Sequence, residues 1–314
     1  MLSRRLLRIK TLKEVFGQLM LPTPSPDVAV KNMDTSIQKT YDLYHLLLLL
    51  APELADHAAL LIEQHRNRNL PSAEDLNPNT KLVDNALIAL LRNNRPLADY
   101  CGKRFLSWAD HREVPRQVLA AMTEADFYLS YMASPTRSFA EDKALLVSLY
   151  GSLLEDFEPL TSALEDQNLL WADEVEFVLS HVLRTLHAFS KSQRNDAPLL
   201  PLLTGEADAI FGHRLVRRAV ACSGEYRKLV EKFSLNWDVE RIAYMDIVLM
   251  VIALAEMVEF DDIPIKVSLN EYIEIAKYYS TPSSCMFING VLDRIVFHLK
   301  DTALAGKQQQ ICKS

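Results

Sequence analysis

Basic side chains are concentrated near the start of the chain, where they could bind phosphate. Arg4, Arg5, Arg8 and Lys10 lie in a stretch whose apolar residues recur at helical spacing. Arg4, Arg5 and Arg8 are three or four positions apart, so their side chains would be neighbours on a helix. Arginine forks bind the phosphate oxygens of a nucleic-acid backbone. A solvated helix face has the same composition, so the residues alone leave both interpretations open.

A second candidate site is the stretch from Thr281 onward, which has the sequence TPSSCMFINGVLD. Thr281 suits an N-cap and the following proline suits the first helical position, so the spacing predicts a helix that begins here. Its N-terminus and the hydroxyls of Ser283 and Ser284 could bind phosphate or sugar, and Phe287 could stack on an unpaired base. Alternatively, the serines cap the helix and Phe287 belongs to the core.

Motifs of the common enzyme classes are absent from the sequence. The chain has no HExxH, GxSxG or GxGxxG motif, and its 8 glycines leave little room for a phosphate-binding loop. The doublets Glu155-Asp156 and Asp261-Asp262 suit solvated loop edges better than acid–base pairs, because adjacent helical residues point about 100° apart. We therefore expect a non-catalytic protein with no cofactor and no metal site.

Composition indicates a helical protein of the cytoplasm. Few glycines among 314 residues favour helices over sandwiches and barrels, and a net charge of −7 argues against a protein that coats RNA nonspecifically. The 4 cysteines lack CxxC spacing and fit a reducing cytosol. The longest apolar runs, Leu46–Ala51 and Ile247–Ala255, are much shorter than the roughly 20 residues that span a membrane. We expect neither a signal peptide nor a membrane segment.

Apolar spacing predicts helices along most of the chain, so the predicted fold class is all-α. Only Pro264–Val267 is predicted to be extended. Ser268 and Glu271 have capping-box spacing, which predicts that a helix begins near Ser268. The predicted helices cover residues 3–20, 34–63, 81–92, 96–109, 113–132, 142–163, 171–191, 206–222, 224–233, 239–258, 269–279 and 283–300.

Two segments have the composition of linkers, residues 21–27 with three prolines and residues 192–204. We place a domain boundary in the second one. The prediction is an N-terminal helical region over residues 1–200, a helical domain over residues 205–300 and a flexible tail over residues 301–314. The first helix, residues 3–20, is expected to pack with the C-terminal bundle.

Several of these segments together resemble the NusB family of bacterial transcription antitermination factors. The resemblance is strong over residues 205–300 and weak over most of residues 20–200. The motifs that carry it are the basic segment from Ser3, Asn236-Trp237, Arg241, Met245-Asp246, Leu249, Glu256, the run IPIKVSLNE from Ile263, Ala276-Lys277, and FINGVLD from Phe287.

The resemblance implies a NusB-like helical bundle with an additional helical N-terminal and central region. It also implies a non-catalytic adaptor that binds a boxA-type RNA together with NusE, a small-subunit ribosomal protein. Such an adaptor would act with RNA polymerase on ribosomal RNA transcripts. The expected RNA-binding residues are Arg4, Arg5, Arg8, Lys10, Ser283, Ser284 and Phe287, and the expected partner-binding residues are Asp246 and Glu256.

The chain departs from the family pattern beside the second candidate site. Met286 stands where the family has a lysine, which removes a phosphate contact, and Ser283 stands where the family has an acidic residue. A helical protein-interaction scaffold that keeps the fold without binding RNA is therefore the main alternative. Asp246 and Glu256 could equally be ordinary exposed helix carboxylates. The RNA-binding part of an RNA-modifying enzyme is a third alternative, disfavoured by the lack of a glycine-rich cofactor loop.

Overall fold

The computed structural model describes residues 1–203, 205–234 and 243–301. Within these ranges the regular structure is helical, and the β contact is an isolated parallel bridge between Leu2 and Leu203. The prediction of an all-α fold with an additional helical region is confirmed. The motif residues Asn236, Trp237 and Arg241 lie outside the described residues, and so does the predicted tail over residues 301–314 apart from Asp301, which is the last residue of a helix.

The chain divides by contacts into two compact units. The first unit consists of residues 1–37 and 202–314, and the second consists of residues 38–201. The α-helices in chain order are α1 Arg4–Leu19, α2 Pro26–Arg66, α3 Ala73–Leu76, α4 Ala86–Arg92, α5 Arg95–Arg104, α6 Glu113–Thr123, α7 Asp126–Ala133, α8 Phe139–Ser148, α9 Glu158–Gln167, α10 Val175–Ala188, α11 Glu206–Ala221, α12 Ser223–Phe233, α13 Tyr244–Glu259, α14 Ile265–Tyr279 and α15 Ser284–Asp301.

The first unit is built around α13. All residues from Val248 to Ala255 are buried, because α1, α11, α12, α14 and α15 all pack against this helix. A helix that is apolar on every side is stable only in such an interior position. Helix α1 begins after Ser3, whose hydroxyl accepts a hydrogen bond from the Leu6 amide at 3.3 Å, and packs against α11 and α13. The first helix of the chain therefore completes a bundle made mostly of C-terminal residues.

The second unit is built around the part of α2 that follows residue 37. Its leucines from Leu46 to Leu48 are buried, and aromatic residues from later segments of the unit bond to its backbone. The Trp108 indole donates to the Leu46 carbonyl at 3.0 Å, and the Tyr150 hydroxyl donates to the Leu47 carbonyl at 2.6 Å. Buried Trp and Tyr side chains need a partner for their polar ends, and the backbone of α2 supplies it.

By length and composition, α2 is also apolar enough to cross a membrane, although half of its most apolar window is buried inside the protein. The helix carries Asp42 and His45 in buried, hydrogen-bonded positions. Burial among other helices and internal polar contacts are the features of a core helix.

Some predicted helix boundaries differ from the structure. Helix α2 begins at Pro26, earlier than predicted, because proline suits the first helical position and the Ser25 hydroxyl accepts from the Val28 amide at 3.4 Å. The predicted helix over residues 113–132 is two helices, because Ala125 has an extended backbone. The predicted helix over residues 142–163 is interrupted by a π-helical turn at Leu149–Leu153 and a short loop.

The prediction of an extended Pro264–Val267 segment is wrong, because α14 begins at Ile265 directly after the proline. The predicted capping box at Ser268 and Glu271 is also wrong. The Ser268 hydroxyl donates to Glu256 and the Glu271 carboxylate binds Arg5, so both side chains connect α14 to other helices.

Candidate nucleic-acid interface

Arg8 lies in the interior of the first unit, in a group of polar side chains that we call the arginine cluster (Arg8, Glu256, Ser268, Glu271 and Tyr272). The Nε and Nη2 atoms of Arg8 each lie 2.7 Å from a carboxylate oxygen of Glu256, and its Nη1 lies 3.4 Å from Glu271. Arg8 is 4% exposed and Glu256 is 0% exposed. The Arg8–Glu256 pair connects α1 to α13 away from solvent, and the longer contact with the partly exposed Glu271 connects α1 to α14.

Glu256 has all the hydrogen bonds that a buried carboxylate requires. Besides the two bonds from Arg8, it accepts one from the Ser268 hydroxyl at 2.7 Å and one from the Tyr272 hydroxyl at 2.8 Å. Burial alone lowers the pKa of Arg8, but the hydrogen bonds and charge of Glu256 outweigh it and raise that pKa. Burial and the Glu256 charge raise the pKa of Tyr272 well above its ordinary value. The cluster therefore holds one arginine cation, which Glu256 and Glu271 offset.

Two arginines of α1 remain accessible to solvent. The side chain of Arg5 is 55% exposed and forms a bidentate contact with Glu271 at 2.9 and 2.7 Å. Arg4 is 39% exposed, lies 3.6 Å from Asp208, and has its guanidinium 5.2 Å from the centre of the Phe211 ring. Both guanidinium groups can be reached from solvent, and a phosphate can form the same forked contact as a carboxylate, so phosphate can compete for these arginines.

Lys10 points inward. Its ammonium donates to the carbonyl oxygen of Ser36 at 3.1 Å and to the Ser36 hydroxyl at 2.9 Å. Lys10 is buried, and the contact connects α1 to the start of α2.

Asp246 organises the beginning of α15. It is buried in the first turn of α13 and accepts hydrogen bonds from the hydroxyls of Ser280 and Ser284, the latter at 2.8 Å. The Ser284 hydroxyl also accepts from the Thr281 amide at 3.2 Å. Ser283 is exposed and shares a hydrogen bond of 3.1 Å with the Thr281 hydroxyl. We call Asp246, Ser280, Thr281 and Ser284 the cap cluster.

Phe287 is 5% exposed and belongs to the core, whereas Met286 beside it is 74% exposed. Gly290 lies inside α15, which confirms that the glycine is helical.

The structure therefore places the expected site residues in two groups. Arg4, Arg5 and Arg8 lie near the C-terminal end of α13, where Glu256 is, and the serines lie near its N-terminal end, where Asp246 is. Ten helical residues separate these two carboxylates, which corresponds to about 15 Å along the axis. An RNA that contacts both groups therefore has to reach from one end of α13 towards the other.

Burial determines what the other expected contacts would require. A contact of Arg8 or Lys10 with phosphate would require the loss of the bonds to Glu256 or Ser36, and a stacking contact of Phe287 would require it to leave the core. Asp246 and Glu256 are not exposed helix carboxylates, because both are buried and hydrogen-bonded. Contacts of these residues with RNA or a partner protein remain predictions.

Sequence reasoning did not find the arginine cluster. Arg8 and Glu256 are 248 positions apart in the chain, so no local spacing connects them. A useful signal was the recurrence of Ser268, Glu271 and Tyr272 at helical spacing, which places polar groups on one side of α14. The spacing of Ser268 and Glu271 also fits a capping box, which is why sequence alone favours a helix cap there.

By fold, the first unit is an all-helical bundle in which an arginine of the opening helix is paired with glutamates of two later helices. The model of the NusB family matches residues 178–297 of the chain. The transcription antitermination protein NusB of Salinibacter ruber is 36% identical over 132 residues, which cover 40% of this chain and 82% of the relative. The chain belongs to the NusB family.

Other relatives match over shorter ranges. The transcription antitermination protein NusB of Natranaerobius thermophilus is 43% identical over 70 residues, which cover 22% of this chain and 50% of the relative. The protein of the same name from Chloroherpeton thalassium is 47% identical over 78 residues, 25% of this chain and 37% of the relative. The chain thus spans half or less of these two relatives. No solved structure matches the chain.

Proposed function

We propose that this protein is a non-catalytic transcription antitermination factor of the cytoplasm. In this proposal it binds a boxA-type RNA together with NusE and acts with RNA polymerase on ribosomal RNA transcripts. The observation that carries the proposal is the match to 82% of a relative named transcription antitermination protein NusB. It is supported by the position of the motif residues, which hold α1 against the bundle in the first unit.

The residues proposed to contact RNA directly are Arg4, Arg5 and Ser283, because these expected site residues are at least partly accessible. The buried members of the expected set have a different role in the proposal. Arg8 and Lys10 fix the position of α1, and Ser284 and Phe287 fix the beginning of α15. RNA binding then depends on them indirectly, through the placement of the exposed groups.

For the partner protein we propose a similar division. Asp246 and Glu256 hold the two ends of α13 against α14, α15 and α1 and do not touch NusE themselves. The first unit would then present two modest surfaces, one for RNA and one for NusE. When both ligands also contact each other, each binding event raises the effective concentration for the other, and the ternary complex is tighter than either pair.

Replacement of both Arg4 and Arg5 by alanine tests the RNA site. We expect affinity for a labelled boxA-type RNA to fall about tenfold and the slope of log affinity against log salt to become shallower by about 1.4, because two phosphate contacts are lost. Arg217→Ala is a matched control, since Arg217 is 54% exposed and paired with Asp27 at 2.6 Å. Equal affinity and slope in the double variant and the wild type would exclude α1 from the RNA site.

One set of observations favours the alternative, a protein-interaction scaffold without RNA binding. Arg8, Lys10 and Phe287 are buried, Arg5 is neutralised by Glu271, and Met286 stands where a lysine would meet phosphate. Titration of NusE with and without the boxA-type RNA separates the two functions. Binding of NusE that is equally tight in both titrations, with no RNA in the complex, supports the scaffold.

A further inference from the structure

Tyr278, in the last turn of α14, is an aromatic residue with an unusual position. It is 84% exposed, whereas Phe287, the aromatic residue expected to meet a base, is 5% exposed. Large aromatic side chains gain much from burial, so a ring that is almost entirely in solvent has no evident role in stabilising the bundle. Its face is available to a ligand.

Charged groups surround this ring. Glu271, Glu274 and Tyr278 are three and four positions apart on α14, so they lie along one face of the helix. Arg5 donates to Glu271 at 2.9 and 2.7 Å, so its guanidinium lies on this same face of α14, about two helical turns from Tyr278. The ring therefore belongs to the same surface as the accessible end of α1.

The ring also lies close to the beginning of α15. The Cys285 thiol, in the first turn of α15, donates to the Ile273 carbonyl of α14 at 3.6 Å, and Lys277 lies one helical turn beyond Ile273 on the same face. Lys277 is thus near both the ring and the first turn of α15, where Met286 is 74% exposed. Arg5, Tyr278, Lys277 and Met286 are thus exposed side chains on α14 and on the helices that α14 contacts, α1 and α15.

We propose that Tyr278 is the residue on which a base of single-stranded RNA stacks, with Arg5 and Lys277 beside the neighbouring phosphates. This inference rests on the proposed function and assigns the base contact to Tyr278 in place of Phe287. Aromatic rings flanked by basic side chains are the usual platform for single-stranded nucleic acid, since every base offers a face to the ring. In the free protein Arg5 is paired with Glu271, and Lys277 is paired with Glu274. In this proposal phosphate displaces both carboxylates.

Three variants test the assignment in a binding assay with the full chain, NusE and a labelled boxA-type RNA. We expect Tyr278→Ala to weaken binding about 5- to 100-fold and Tyr278→Phe to bind like wild type, because the ring and not the hydroxyl carries the contact. The salt slope of Tyr278→Ala should equal that of wild type, since no phosphate contact is removed. Phe297→Ala is the matched control. The Phe297 ring is also largely exposed, at 70%, and lies towards the C-terminal end of α15.

The outcomes separate this inference from the proposed function. If wild type binds RNA and Tyr278→Ala binds equally well, the stacking assignment is overturned and the proposed function stands. Loss of NusE binding in Tyr278→Ala with unchanged RNA binding also overturns it, since the ring then faces the protein. If wild type does not bind the RNA at all, both fail.

Discussion

Both units bury an apolar helix, but the polar contacts of the buried charges differ between them. Each surrounds an apolar helix, α13 in the first unit and α2 in the second. In the first unit, Glu256 and its partner Arg8 are both buried. In the second unit, Asp42 is buried, but its partner Arg104 has a side chain that is 38% exposed. One unit therefore encloses a complete ion pair, and the other encloses only one of the two charges.

Family motifs can mark residues that hold the fold together. Glu256, Glu271 and Asp246 belong to the motifs by which the chain resembles its family, yet in the structure they fasten helices. A buried charge whose partner is also buried tolerates few replacements, because either charge alone is costly in the interior. Such residues give a distinctive sequence pattern even when no ligand touches them.

The largest expected effect is a loss of stability when a buried carboxylate is replaced, which we compare between two single variants, one in each unit. Glu256→Ala should lower the free energy of unfolding of the first unit by about 3–5 kcal/mol, because Arg8 remains buried without its counter-charge. Asp42→Ala should cost the second unit about 1–3 kcal/mol, because Arg104 can turn to water. Peptide-resolved hydrogen exchange measures each unit separately.

Glu274→Ala serves as the control for both, since Glu274 forms a surface pair with Lys277 and the loss of such a pair should cost less than about 1 kcal/mol. Equal losses in Glu256→Ala and Asp42→Ala would contradict the contrast between a fully enclosed pair and a half-exposed one.

The second unit should also respond more strongly to mild acid. Burial lowers the pKa of His45 from 6.5 to about 4, although the Tyr41 carbonyl and Asp42 raise it in part. The ring is stacked on Tyr100 and is 2% exposed. The unfolded state binds a proton below pH 6.5 and the folded state does not, so this contribution to stability is present above pH 6.5 and is lost as the pH falls towards 4.

The expected loss is about 3 kcal/mol in the second unit between pH 6.5 and 4. Urea unfolding followed by tryptophan fluorescence reports it, since Trp108 and Trp171 both belong to this unit. His45→Phe keeps an aromatic ring against Tyr100 and should flatten the pH dependence in this window. An unchanged pH profile in that variant would show that other groups cause the acid sensitivity.

The smallest expected effect concerns the surface of the first unit. Met286→Lys places a cation where the family pattern has one, and we expect affinity for boxA-type RNA to rise about 2- to 10-fold with a salt slope steeper by about 0.7. Met286→Gln is the neutral control. A gain in both variants, or in neither, would mean that the start of α15 does not meet phosphate.

Much of the fold was predictable because helices are local. The stripe of apolar residues in residues 3–20 predicts α1, and the predicted helix over residues 283–300 matches α15 to within one residue at each end. The family resemblance was predictable for the same reason, since motifs are contiguous. The split at Ala125 and the start of α2 at Pro26 depended on backbone geometry that apolar spacing does not encode.

The site was less predictable than the fold. Composition cannot distinguish an arginine that faces water, such as Arg5, from one that faces a carboxylate in the interior, such as Arg8, when the carboxylate is supplied by a segment far along the chain. The same holds for Lys10, whose acceptor is a backbone carbonyl and hydroxyl of Ser36. Local patterns describe a helix and its faces, but only tertiary packing decides which face is covered.

The first unit is built from two segments that are far apart in the chain, and this has a consequence for folding during protein synthesis. Helix α1 emerges from the ribosome roughly 190 residues before α11, an interval of roughly 10–40 s at common translation rates. During that time the helices that bury Leu7 and Leu12 have not been synthesised, and neither has Glu256, the partner of Arg8. The second unit is one continuous segment and can fold as it is made. Nascent chains stalled before α13 is synthesised should therefore contain a folded second unit and an α1 whose apolar residues are exposed. We expect chaperones to bind this exposed helix.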